Sequence, residues 1–153
     1  MKNQKQKIKI KFETSAGGIV YKKSTNEWLV VQHSQHKGWV FPKGLVGDKK
    51  INEKMEEAAL REVEEEGGVK AKIVYNKPVK VSYMYRFNEY LIKKTVYYFL
   101  MEYITGDPKN HDWEVSQAKF LPAGEVKKIL TYESDKEAFE KILTIFQNYF
   151  LPS

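Results

Sequence analysis

The stretch that decides the reading is Gly47-Asp48-Lys49-Lys50-Ile51-Asn52-Glu53, then seven residues, then Arg61-Glu62-Val63-Glu64-Glu65-Glu66-Gly67-Gly68-Val69. Helix signals bracket it. Asn52 can cap a helix start, Glu53 suits the first turn, and Gly67-Gly68 supplies the residues that end a helix. At about 100° per residue, Glu66 lies about 40° to one side of Glu62 and Glu65 about 60° to the other. Met55, Ala58 and Ala59 fall within about 60° of the same direction. Three carboxylates therefore continue the face such a helix would bury, while Glu53, Glu57, Glu64 and Arg61 project to the other side.

Most glutamate-rich helices simply present a solvated acidic face. Here burial without a partner would be very costly or would force protonation. The three carboxylates also sit near the helix C-terminus, where the dipole disfavours anions. A hard divalent cation held by oxygens resolves both conflicts, and Mg²⁺ is the expected ion, with Mn²⁺ as a substitute. Arg61 is placed to reach back to Glu53 or Glu57 and fix side chains; the plain alternative is an ordinary surface ion pair.

On the N-terminal side, Ile8 to Phe12 alternates apolar and charged residues, as a strand does. Ala16 to Tyr21 reads as a second strand entered through glycines, and Trp28 to His33 as a third. Ser24-Thr25-Asn26 is turn chemistry, so the latter two make a hairpin. Gly38-Trp39-Val40-Phe41-Pro42-Lys43-Gly44 follows, with Pro42 excluding a central strand position. On the C-terminal side, strands are expected at about 72–76, 79–87 and 91–104, and a short one from Ala118 to Leu121. A helix is expected at about 124–131, then a last one capped by Ser134, with Ala138, Phe139, Ile142, Leu143 and Phe146 at helical spacing. Strands, a helix, strands, then helices predict an α+β domain rather than a doubly wound sheet.

Bulk properties set the outer bounds. A chain of 153 residues suits one domain over residues 1–153, and 42% hydrophobic with 14% aromatic residues argues against disorder. No apolar run is long enough to span a bilayer. The N-terminus has no apolar stretch behind its lysines, so no secretory signal is read and a cytoplasmic location is expected. Cysteine is absent, which excludes disulfides and thiolate metal sites. The net charge is +6, with Lys2, Lys5, Lys7, Lys9 and Lys11 clustered in residues 1–11. That run reads as a solvated end leading into the first strand; contact with RNA or another polyanion is the alternative.

The quoted stretch resembles a Nudix box, G-x(5)-E-x(7)-R-E-U-x-E-E-x-G-U with U a bulky aliphatic. Gly47, Glu53, Arg61, Glu62, Val63, Glu65, Glu66, Gly68 and Val69 satisfy every specified position. Ala16-Gly17-Gly18-Ile19-Val20, Phe41-Pro42-Lys43-Gly44, Lys94 to Leu100 and Glu114 to Leu121 also resemble segments around the box, so the likeness covers about residues 12 to 131. One departure stands out. In typical members the box glycine directly follows the Phe-Pro turn, as Gly44 does here, and measured from Gly44 the spacing to Glu53 is three residues too long. Gly44 and Gly47 compete for one role.

The resemblance implies an α/β/α sandwich with a mixed sheet and a Mg²⁺-dependent hydrolysis of a nucleoside diphosphate linked to another group. It implies Glu62, Glu65 and Glu66 as metal ligands, Glu62 as the candidate general base, and Glu53 with Arg61 as orienting residues. A backbone oxygen at Lys43 or Gly44 and the carboxylate of Glu114 are further candidate ligands. Lys43 is a candidate phosphate contact, and Tyr83 and Tyr85, with Tyr97 and Tyr98, are candidate stacking residues. Glu102, His33, His36, Lys37 and His111 are weaker candidates, and Trp39 reads as a packing anchor. A dinucleoside polyphosphate is the favoured substrate. A nucleoside triphosphate, or a capped or 5′-phosphorylated RNA end, is the alternative, and a non-catalytic nucleotide-binding module is the reading from a different class.

Overall fold

The computed structural model describes residues 7–47 and 50–151. The expectations for Lys2 and Lys5, and for Asp48 and Lys49 of the stretch between Gly47 and Glu53, lie outside them. The spine is a pair of long parallel strands, β1 (Lys9–Lys22) and β7 (Tyr90–Gly106), in register from Lys9↔Tyr90 to Tyr21↔Glu102. Around it lie β2 (Glu27–His33), β3 (Trp39–Val40), β4 (Lys43–Leu45), β5 (Val69–Ile73), β6 (Val79–Phe87) and β8 (Val115–Leu121). The mixed sheet runs β3-β2-β1-β7-β5, with β4 pairing β1, β6 pairing β7 and β8 pairing β2. The helices are α1 (Met55–Gly67), α2 (Ala123–Ile129) and α3 (Glu133–Tyr149).

Both sheet faces are buried, as the alternation of side chains along each strand allows. On one face Ala58, Ala59 and Val63 of α1 pack with Ala16, Val20, Leu29, Phe99 and Met101. On the other, Ala138, Phe139, Ile142 and Phe146 of α3 pack with Ile19, Trp28, Val30, Val96, Tyr98 and Leu100. This is the expected α/β/α arrangement with a mixed sheet. Among the described residues, no helix is long and apolar enough to cross a membrane.

Several boundaries differ from expectation. The two strands expected at Ile8–Phe12 and Ala16–Tyr21 are one strand. Its glycines are required by close approach: a Cβ on Gly17 would overlap the Pro42 carbonyl, and one on Gly18 would press on Val63 and Met101. The helix expected from Asn52 starts at Met55, because Asn52 takes a left-handed φ of 65° and turns the chain first. The strand expected at 72–76 comes earlier, since Gly68 ends α1 in the left-handed conformation and Val69 pairs at once with Gly106. β8 begins three residues before Ala118, and α2 ends at Ile129. Ser134 lies inside α3, whose N-cap position is Tyr132 without a side-chain cap.

Asp135 in the first turn of α3 is buried and accepts a hydrogen bond of 2.8 Å from Tyr98 Oη. Burial pushes its carboxyl above the usual aspartate range, against the opposing pull of Lys43 and of the Tyr98 bond. The stability it contributes is therefore fully present below the ordinary aspartate pKa of 3.8 and is lost as pH rises through the raised folded value. Asp135→Asn keeps the acceptor for Tyr98 and removes that loss. Its melting temperature should match wild type in acid and exceed it at neutral pH; a neutral-pH decrease would refute the assignment.

Candidate metal and phosphate site

The chain makes the site by pressing β4 against the C-terminal half of α1. Lys43 N–H donates to Glu66 Oε1 at 3.0 Å, so the Phe-Pro turn is tied directly to the helix. Gly44 faces Glu62 so closely that a Cβ there would overlap the carboxylate. Gly47 does something else: with φ of 83° it turns the loop and donates its N–H to Glu53 Oε1 at 3.1 Å. The two glycines thus divide the work between them, one shaping the carboxylate cradle and the other the loop.

Glu53 corrects the sequence reading. It lies before α1 rather than on its outer face, and its side chain is only 3% exposed. Arg61 reaches it with two bonds, Nε to Oε2 at 2.7 Å and Nη2 to Oε1 at 3.0 Å. That guanidinium, with the Gly47 N–H, holds the Glu53 carboxyl below the usual range despite burial. Arg61 Nη1 also donates to Glu62 Oε1 at 2.7 Å and to Glu65 Oε2 at 3.3 Å. Glu57, the other partner considered for Arg61, instead meets Lys50 at 3.6 Å on the surface.

Glu62 and Glu66 are buried, as the helix geometry predicts. Glu65 is not: its side chain is 36% exposed and pairs with Arg61 one turn earlier at 3.3 Å. Burial raises Glu62 in spite of Arg61, with Glu65 and Glu114 adding to the shift, and burial pushes Glu66 up to about 8 against the Lys43 N–H, with Glu62 and Glu114 adding there. One guanidinium therefore serves Glu53, Glu62 and Glu65, and the inner carboxylates are short of positive charge. Glu114 sits in the loop before β8. The Asp112 N–H ties that loop to α1 by donating to the Glu65 carbonyl at 2.8 Å, and Asp112 Oδ1 accepts from Glu114 N–H at 3.1 Å.

Two lysines border the carboxylates. Lys43 follows the Phe-Pro turn, and Lys94 on β7 is paired in register with Glu13 of β1. Burial lowers Lys94, with Lys43 next in effect, while Glu13, Glu66 and Glu62 pull the other way. Tyr83 is largely buried beside them, and Tyr85 donates to Glu13 at 2.9 Å; burial first, then neighbouring acids, push both up to about 12. Tyr97 is half-buried, and Tyr98 is a core residue bonded to Asp135, which removes it as a stacking candidate. His33 and His36 stack at 4.2 Å beside Lys43, and burial lowers both. His111 is elsewhere, its ring bonded to the Asp112 carbonyl, and Glu102 pairs with Lys72 at 3.9 Å. Trp39 anchors packing, with Lys119 over its ring at 4.8 Å.

Among the described residues no three His, Asp or Glu side chains already stand as a cage for an ion. The donor chemistry nonetheless fits a hard cation: all donors are oxygens, two are buried carboxylates short of positive charge, and the Gly44 cradle leaves no side chain above Glu62.

A family model for the NUDIX domain matches residues 11–142. The chain belongs to the Nudix family. Nudix hydrolase 6 of Arabidopsis thaliana is 39% identical over 116 residues, 71% of this chain and 38% of that protein. A Mycobacterium tuberculosis protein named MutT4 is 26% identical over 136 residues, 84% of this chain and 53% of that protein. The chain thus spans about half or less of these curated relatives. An Ap4A hydrolase from C. elegans superposes with a TM-score of 0.70 at 23% identity, covering 88% of this chain and 99% of that one. The E. coli dihydroneopterin triphosphate pyrophosphohydrolase gives 0.65 at 17% identity, covering 87% and 98%. At these identities the structural likeness shows the fold. Lys94 and Glu13, both outside the Nudix box, border its carboxylates without having stood out in the sequence as site residues; the alternation Lys94, Val96, Tyr98, which puts Lys94 on the face of two buried residues, was the available signal.

Proposed function

We propose that this Nudix chain hydrolyses a pyrophosphate linkage in a nucleoside diphosphate joined to another group, with dinucleoside polyphosphates as the favoured class. The observation that carries this reading is the buried, charge-deficient pair Glu62 and Glu66, set against Gly44 on one side and flanked by Lys43 and Lys94. Glu62 and Glu66, with Glu65, Glu114 and the Gly44 carbonyl, are the groups that would hold Mg²⁺ or Mn²⁺. The ion supplies neutralisation of the pyrophosphate and a lowered pKa for water.

The protein's own groups do the rest. Lys43 and Lys94 bind and orient the phosphates, since phosphoryl transfer depends mainly on positioning and charge stabilisation. Glu62, its proton affinity raised by burial, accepts the proton of the attacking water. The water oxygen bonds to phosphorus as the bridging P–O bond breaks, and a phosphomonoester leaves with the bridging oxygen. Arg61 is a positioning residue, holding Glu62 and Glu53 in place.

The test is turnover of diadenosine polyphosphates, nucleoside triphosphates, ADP-ribose and capped RNA, each with Mg²⁺ and with EDTA, with products identified. Mg²⁺-dependent cleavage, fastest on a diadenosine polyphosphate, is expected. Binding without any cleavage would leave a nucleotide sensor and overturn the enzymatic reading.

A further inference from the structure

Beyond Lys94 the sheet continues outward, and its side chains fall into rows. The register of β1, β7 and β6 places Glu13, Lys94 and Tyr83 in one row, Lys11, Ile92 and Tyr85 in the next, and Lys9, Tyr90 and Phe87 in the last. Side chains two apart on a strand share a face, so the three rows form one surface. Its β1 edge carries Lys9 and Lys11, and its β6 edge carries three aromatic rings. The first row borders the carboxylates through Lys94. The last two rows, with Glu13 of the first and Asn88 of the turn, open as a cleft of about 270 Å³ lined also by Lys11, Tyr85, Phe87, Tyr90 and Ile92.

This surface is held in place and partly wet. Tyr85 is fixed by its bond to Glu13, and its ring lies 6.2 Å from Tyr83. Lys9 sits 5.8 Å above the Tyr90 ring and pairs with Glu89 at 3.2 Å. Phe87 remains 61% exposed, so most of its ring is open to a ligand. Exposed rings beside lysines match the alternation of base and phosphate, because every base offers a π-face to an aromatic side chain.

We propose that this cleft binds the far nucleoside of a two-ended substrate, a dinucleoside polyphosphate, stacking its base on Tyr85 and Phe87 with Lys11 against the phosphate chain. The assignment rests on the proposed hydrolase reading with its favoured substrate class and adds to it a place for the distal half. From Lys94 to Tyr90 is four residues of strand, about 13 Å, so the cleft serves a group carried beyond the phosphates at the carboxylates. A mononucleotide has nothing to put there.

Phe87→Ala and Tyr85→Ala test this, with Met84→Ala as control, since Met84 is 61% exposed on the opposite face, in register with Lys93. Each variant's melting temperature checks the fold. Either cleft variant should raise KM for diadenosine tetraphosphate about tenfold, the scale of one lost base stack, and leave KM for ATP unchanged. Met84→Ala should change neither. Equal effects on both nucleotides, or none on either, would overturn the assignment, as would an equal loss of affinity for a short 5′-triphosphorylated RNA. Titration calorimetry in EDTA gives the same comparison without turnover. A Phe87-dependent preference for the two-ended ligand in a protein that cleaves nothing would sustain the cleft and refute the hydrolase.

Discussion

Glu66→Gln should raise the thermal stability of the metal-free protein and, in the same molecule, cut pyrophosphate hydrolysis by on the order of 10²–10⁴-fold. Glu66 is 7% exposed and carries a carboxyl pushed up to about 8, mainly by burial. Among the described residues its hydrogen-bond partner is the Lys43 N–H at 3.0 Å, and a glutamine oxygen can accept the same bond. The folded pKa is raised, so the stability this group contributes is complete below the ordinary value of 4.5. It is lost as pH rises toward about 8. Glutamine removes that slope, so the variant's advantage should widen across this window and be largest at its upper end. Added Mg²⁺ should raise the melting temperature of wild type more than that of the variant, since an ion that binds the folded state stabilises it by mass action and the variant has lost one of the charges that would hold it. Melting curves across pH with and without Mg²⁺, beside a turnover assay, check both halves. A variant that melts below wild type at high pH, or that keeps its turnover, would refute the reading of Glu66.

Much of the architecture was written in local chemistry. The β6 bounds were legible because Pro78 and Asn88-Glu89 punctuate an otherwise β-prone run, and strand β6 occupies Val79–Phe87. The end of α1 was legible because Gly68 provides the left-handed residue that closes it. The start of α1 was not. Asn52 carries a sound capping side chain, yet its left-handed φ makes it a turn residue, and α1 starts from Lys54 with no side-chain cap. The unity of β1 was hidden for a similar reason. Glycines at 17 and 18 read locally as a strand entrance, while their purpose is close contact with Pro42, Val63 and Met101, all distant in sequence.

The site divides along the same line. The burial of Glu62 and Glu66 follows from helical angle, while Glu65, about 60° from Glu62 on the wheel, is half-exposed and pairs with Arg61. The neighbourhood of Lys94 and Glu13 is made by the parallel pairing of β1 with β7, a long-range contact that no local pattern encodes. The same pairing sets the rows of lysines and aromatics that lead away from the carboxylates.

Arg61→Ala should destabilise the protein by about 3 kcal/mol, lowering the melting temperature by roughly 6–12 °C, and should suppress turnover as well. The low end of the range for breaking a buried pair applies because the Arg61 side chain keeps 19% exposure, whereas Glu53 keeps 3%. Among the described residues, truncation leaves buried Glu53 with the Gly47 N–H as its hydrogen-bond donor and the more distant Lys50 charge, and releases Glu62 and Glu65 from their common cation. Glu53 is held below the ordinary carboxylate range, so its contribution is present above that range and is lost as pH falls through the lowered value. The gap between wild type and variant should therefore close in acid. Arg61→Lys should recover little, since an ammonium cannot reproduce two parallel bonds to Glu53 and a third to Glu62. The decisive comparison is Arg61→Ala combined with Glu53→Gln. If the harm comes from a stranded buried charge, the double variant should be more stable than Arg61→Ala alone, while its turnover stays low because Glu62 is still unheld. Additive losses of stability would show instead that Arg61 acts through packing, and would remove Glu53 from the support of the site.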